Sequence, residues 1–269
     1  MRVQVDLQMN TENFLHTNPA LYLAFNRDED LSMAHFIHQV LKEFGVGKKV
    51  LDVGSGLGRE VAYLNRVGYE ATGLDNSVEM LSWAKDHHPE STFVYGEQSD
   101  FSLNQQFDAL LCVGSTFLYN FSNKDIIASL ECFRKHLYKG GLLYLDMRNA
   151  AFFLTKEGQR WLTEELVDQT ILEEAVVTLN TRFSIDLPKQ ILERDYCWQV
   201  TGCEPIVEHL RHRLLFPQEL VHYLDACGFR LLQLFDDPAP HVQKYSSEKP
   251  LTFNNEMIGT RLQVIAQAI

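Results

Sequence analysis

The chain has 269 residues, 45% hydrophobic and 22% charged, which is enough apolar material for one large or two small globular bodies and too much for a disordered chain. Its 24 basic and 36 acidic side chains leave a formal net charge of -12; nucleic acid and anionic membranes are repelled on average, so a small molecule is the expected partner. Five cysteines with no C-x-x-C pair argue against a zinc site and a disulfide framework and read as reduced core thiols, and the start MRVQVDLQMN lacks an apolar leader, as expected of a cytoplasmic protein.

From residue 31 the chain alternates helical and strand periodicities. A helix is expected at about 31–44, then a buried strand over Lys49 to Val53, a glycine turn, and a helix from Arg59 to Arg66. A second strand ends at Gly73-Leu74-Asp75, followed by a helix from Val78, strands over Thr92 to Tyr95 and Phe107 to Val113, a helix through Leu137, and a strand over Gly141 to Asp146. Such alternation builds a parallel sheet. After Arg148 the pattern changes: Ala175 to Phe183, Gln190 to Val200 and Ile206 to Leu215 are strand-like runs without crossover helices, hence antiparallel. A helix beginning at Pro217 and two late strands, 229–235 and 262–266, return to the main sheet.

The glycine turn VGSGLG, with Gly54, Gly56 and Gly58 between strand and helix, suits a ligand that approaches backbone closely at a helix N-terminus: a dinucleotide, a phosphate or another adenosine compound. Asp75, ending the second strand, can accept hydrogen bonds from both ribose hydroxyls. Asp52, just before the glycines, is unfavourable beside a pyrophosphate but favourable beside a sulfonium cofactor with an amino group. That charge argument points to S-adenosyl-L-methionine.

The segments VLDVGSGLG, GLDNSVEMLSWA, GEQSDFSLNQQFDALLCVGSTFLY and KGGLLYLDMRN together resemble a class I S-adenosylmethionine-dependent methyltransferase over most of residues 45–150. The resemblance implies a Rossmann-like α/β fold: a seven-stranded, mostly parallel sheet with helices on both faces and a small antiparallel β cap after strand five. Residues 1–150 and 216–269 would bind the cofactor, with 1–30 as an N-terminal lid, and 151–215 would be the cap. It also implies that Asp52, Gly54, Ser55, Gly56 and Gly58 meet the methionine end of the cofactor, Asp75 the ribose, and Ser77 and Met80 the adenine neighbourhood, with Asn76 a further cofactor contact. Glu97 or Gln98 would face the adenine edge, Gly114 would floor the methyl-donor site, and Arg27 would meet the cofactor carboxylate. A homo-oligomer is compatible with this reading; no metal is expected.

GGLLYLDMRNAAFFL and RDYCWQV are similar to glycine N-methyltransferase and bacterial glycine/sarcosine methyltransferases. This second resemblance makes Arg148 the binder of a substrate carboxylate, a role a planar guanidinium performs with two parallel hydrogen bonds. It places Tyr196 and Ser115 on the substrate side and Tyr22 near the methyl group. The family's G-N-S-F-x-H run is Gly114-Ser115-Thr116-Phe117-Leu118-Tyr119 here, so the acceptor need not be glycine. Tyr119, Tyr196 or water would take the amine proton. An amino sugar or natural-product methyltransferase and a non-catalytic adenosine-binding regulator are the competing readings. The run Glu208 to Arg213 reads as a solvated strand face.

Overall fold

The computed structural model describes residues 13–26, 31–172, 174–247 and 250–269. In chain order it contains α1 (Pro19–Phe25), α2 (Ser32–Glu43), β1 (Lys49–Val53), α3 (Arg59–Arg66), β2 (Glu70–Asp75), α4 (Val78–His87), β3 (Thr92–Tyr95), β4 (Phe107–Cys112), α5 (Asn123–His136) and β5 (Leu137–Arg148). There follow α6 (Lys156–Trp161), β6 (Leu166–Leu172), β7 (Ala175–Asp186), β8 (Ile191–Val200), β9 (Ile206–Arg213), α7 (Pro217–Ala226), β10 (Phe229–Phe235) and β11 (Arg261–Ala268).

Seven strands form one sheet in the order β10-β11-β5-β4-β1-β2-β3. Strands β1 to β5 pair in parallel, and β11 inserts antiparallel between β5 and β10. Side chains alternate faces along each strand. Val50, Leu111, Tyr144 and Ile265 therefore pack with α2, α3 and α4, whereas Leu51, Leu110, Leu143 and Val264 pack with α5 and α7. Burial on both faces explains why these strands read as continuous apolar runs. The chain turns one way from β1 to β2 and the other from β3 to β4, so the carboxyl ends of β1 and β4 border the crevice where open α/β sheets take ligands.

The helix starts follow local chemistry. Ser122 and Asp125 form a reciprocal capping box at α5, and the Ser77 hydroxyl accepts the Met80 N–H at α4. Pro217 occupies the first turn of α7, where no N–H is needed.

The remaining strands form a second, antiparallel sheet, β6-β7-β8-β9. Strand β6 and helices α1 and α6 give little sequence signal: β6 is mostly exposed, so it lacks an apolar alternation, and the two helices are short. Two expectations are corrected. The Glu208 to Arg213 run is not a solvated face: Val207, His209 and Arg211 point outward, but Glu208, Leu210, His212 and Arg213 are buried. Cys203 is exposed rather than a core thiol, while Cys112 and Cys132 are buried; all five thiols are free. Among the described residues no helix is long and apolar enough to cross a membrane, and no cluster of ligating side chains suits a metal.

Candidate active site

The turn after β1 is fixed by the neighbouring strand: Gly54 N and Ser55 N both donate to Leu74 O, at 2.7 and 3.0 Å. Gly54, Gly56 and Gly58 all have positive φ, at 77°, 50° and 73°, where a side chain is strained. Their other reasons for being glycine differ. A Cβ on Gly54 would lie 2.3 Å from Thr116 Oγ1, and one on Gly58 2.4 Å from Phe93 Cζ, whereas one on Gly56 meets nothing within 4 Å. Two of the glycines thus serve packing, and only Gly56 faces open space.

Asp75 closes the turn. One carboxylate oxygen accepts from Gly56 N and the other from Ser77 N, each at 2.8 Å. Burial pushes its pKa upward, and these backbone N–H groups oppose that shift. Asn76 is exposed and donates to the exposed Glu97, 3.2 Å from Oε2. Gln98 turns inward, donating to Thr116 O at 3.1 Å and leaving Oε1 buried without a partner. Met80 is fully buried beneath the turn.

Asp52 is the anomaly of this wall. It is 1% exposed, and neither carboxylate oxygen has a hydrogen-bond partner among the described residues. Burial, then the charges of Glu60 and Asp75, hold its carboxyl well above the usual range. A buried carboxylate in this state is costly unless a cation or donor reaches it. The orphaned acid beside the open Gly56 cradle therefore fits a ligand with an ammonium group that approaches the backbone closely.

A cleft of 740 Å³ opens from this point, lined by Asp52, Gly54, Ser55 and Gly114 on the strand ends and by Arg148, Arg194, Tyr196 and His212 opposite. Tyr22, Tyr119 and Ser115 also line it, whereas Gly56, Gly58, Asp75, Asn76, Met80, Glu97 and Gln98 do not. Residues 13–26 cover it from the N-terminal side. His16 O accepts the Ser77 hydroxyl at 2.9 Å, and Phe14 and Phe25 pack on Trp198 of β8 at 5.7 and 5.2 Å. Burial raises the Tyr22 phenol to about 12 and lowers His16 to about 4, the latter with help from the Arg194 charge. Arg27 lies outside the described residues.

The far wall carries cations. Arg261 forms a buried pair with Asp146, Nε to Oδ1 at 3.0 Å, and Asp146 also accepts Gly114 N at 3.0 Å. Those partners hold the Asp146 carboxyl below the usual range despite its burial. Ser115 accepts from Arg148 N and Arg261 Nη1 at 3.1 and 3.0 Å, so its oxygen ties the strand ends together rather than offering lone pairs to the cleft. The Arg148 guanidinium lies over the rings of Phe183 and Trp161, at 5.4 and 6.0 Å. Among the described residues no carboxylate pairs with it, and its Nε is buried without a partner. Burial, then the Arg194 charge, lower it to about 10.

Arg194 and His212 escaped the sequence reading, as did the pairing of Asp146 with Arg261. The available signal was parity: on β8, Arg194 shares an inward face with Tyr196 and Trp198, and on β9, His212 shares one with Glu208 and Leu210.

Residues 50–141 match the family model described as a methyltransferase domain. Over 124 residues the chain is 34% identical to a glycine/sarcosine N-methyltransferase of Aphanothece halophytica, covering 44% of this chain and 46% of that one. Over 125 residues it is 25% identical to dTDP-3-amino-3,4,6-trideoxy-alpha-D-glucopyranose N,N-dimethyltransferase of Streptomyces venezuelae, covering 46% and 53%. The chain thus spans about half the length of these relatives. Among solved structures, Streptomyces venezuelae DesVI shares the fold with a TM-score of 0.71 at 17% identity, covering 92% of this chain and 95% of that one. Residues 50–141 thus carry a methyltransferase domain, and the fold is shared with a solved S-adenosylmethionine-dependent methyltransferase.

Proposed function

We propose that the protein N-methylates a small amine that bears a carboxylate, and that Arg148 anchors that carboxylate. The observation that carries this reading is the Arg148 guanidinium itself, held over two aromatic rings in the cleft with no carboxylate partner among the described residues. An uncompensated cation in a largely buried site is expensive, and a bound anion relieves it. The nucleotide-linked amino sugar named for the second relative carries its negative charge on a diphosphate rather than on a carboxylate.

The cofactor supplies an activated methyl group on a sulfonium. Asp52 is suited to its ammonium, Gly54, Ser55, Gly56 and Gly58 to close backbone approach at its methionine end, and Asp75 and Asn76 to the ribose. Met80 and the inward-turned Gln98 fit the adenine better than the exposed Glu97, and Gly114 forms the floor. Methyl transfer is an in-line displacement, so holding the acceptor in line and excluding water supply most of the acceleration. Arg148 fixes the acceptor's acid end, and residues 151–215 together with the N-terminal segment act as the cover. Tyr196 accepts at 3.1 Å from Nη1 of Arg194, a group with donors only, so its own proton remains to be donated, and Tyr119 lines the cleft beside it. They orient the acceptor, and the amine sheds its proton to water.

The test is methyl transfer from labelled cofactor to an amino acid and to its methyl ester. The free acid is expected to react and the ester to react poorly. Equal rates on both remove the carboxylate anchor.

A further inference from the structure

Arg194 is a second guanidinium without a carboxylate partner among the described residues. It is 6% exposed and its Nε is buried unpartnered. Nη1 donates to the Tyr196 hydroxyl at 3.1 Å and Nη2 to His212 Nε2 at 2.9 Å, and Tyr119 lines the cleft beside them, its ring 4.9 Å from that of His212. Because a guanidinium has no lone pair, both partners must accept from it. The His212 proton is therefore on Nδ1, which is also buried without a partner. Burial and the charges of Arg194 and Arg148 hold that imidazole neutral. The nearby acid does not compensate Arg194: Glu208 accepts Trp198 Nε1 at 3.0 Å and forms no ion pair with it. Asp146 is taken by Arg261. This corner of the cleft thus offers one cation and several buried donors, and its acid, Glu208, is held by Trp198 and forms no ion pair with Arg194.

A single substrate carboxylate on Arg148 leaves this second charge unmatched, and the sulfonium of the cofactor adds positive charge nearby. We propose that the acceptor carries two acidic groups, one held by Arg148 and the other by Arg194 with Tyr119, Tyr196 and His212, so that the substrate is a small amino dicarboxylate. The inference rests on the reading of the protein as a methyltransferase for carboxylate-bearing amines.

The experiment is calorimetry on the intact protein with S-adenosylhomocysteine present, titrating propionate, succinate and 3-phosphonopropionate. Succinate is expected to bind at least about tenfold more tightly than propionate, and Arg194→Gln to erase that difference. Arg194→Lys, which keeps the charge but not the planar fork, is expected to retain part of it. Equal binding of succinate and propionate, or a preference that survives in Arg194→Gln, overturns the proposal. Tightest binding of 3-phosphonopropionate reassigns the second group to a phosphate and overturns the dicarboxylate. Turnover separates the two levels of reading: alanine and aspartate methylated with equal kcat/KM overturns only the second acid. Binding of none of the acids together with methylation of neither amine removes both.

Discussion

Asp52, one residue short of the end of β1, and Asp75, the last residue of the paired strand β2, are both buried, yet Asp75 takes two backbone N–H groups at 2.8 Å while both oxygens of Asp52 have no hydrogen-bond partner among the described residues. The first carboxylate organises the glycine turn whether or not a ligand is present. The second is satisfied only when something cationic reaches it.

Asp52→Asn is therefore expected to stabilise the unliganded protein while weakening cofactor binding. Burial and the charges of Glu60 and Asp75 raise the folded-state pKa of Asp52 above its unfolded value. The native state then holds a proton that the unfolded chain releases. Its stability is greatest below the ordinary carboxylate range and falls as pH rises from there toward the raised pKa. The substitution removes that slope, raising neutral-pH stability by about 1 to 3 kcal/mol. Urea unfolding of both proteins across pH checks this; parallel stability curves would leave Asp52 without the assigned burden.

Asp75→Asn keeps the shape of the side chain but loses its charge and one acceptor. Cofactor affinity is expected to fall by about 1 to 3 kcal/mol, together with some loosening of the turn through Gly56 N. Calorimetric titration with S-adenosylmethionine gives the number, and unchanged affinity excludes Asp75 from the site.

Gly56→Ala and Gly58→Ala should separate ligand approach from packing. Both strain a positive φ, but only the second drives a methyl into Phe93. Gly58→Ala is expected to lose more thermal stability, and Gly56→Ala to lose proportionately more cofactor affinity. The reverse ranking in a melting and binding comparison contradicts the assignment of open space to Gly56.

Arg148→Lys preserves a positive charge and loses the planar fork. A fall in kcat/KM of about tenfold or more, with cofactor affinity nearly constant, is the expected signature of a substrate-anchoring residue. Steady-state kinetics beside cofactor titration decides it: a parallel loss of both places Arg148 in the cofactor half instead.

Composition and local pattern were sufficient for the α/β class, for the spans of β1, α3 and β3, and for the glycine turn between Asp52 and Asp75. Those features depend on periodicity along the chain and on backbone conformations that only glycine adopts readily. The resemblance carried by the D-x-R-N run likewise set Arg148 apart, and the structure places that arginine at the last position of β5 rather than beyond it. The sequence did not disclose that Gly54 and Gly58 answer to Thr116 and Phe93, because those contacts join residues distant in the chain. Nor did it distinguish the orphaned Asp52 from the satisfied Asp75, since two buried aspartates look alike until their donors are placed. The charged residues of β8 and β9 show the limit most directly. Arg194 and His212 resemble ordinary polar positions on alternating strands, and only the packing of the second sheet over the crevice turns them inward. There, burial beside Arg148 and Arg261 makes Arg194 part of a cationic wall, with His212 held neutral as its hydrogen-bond partner.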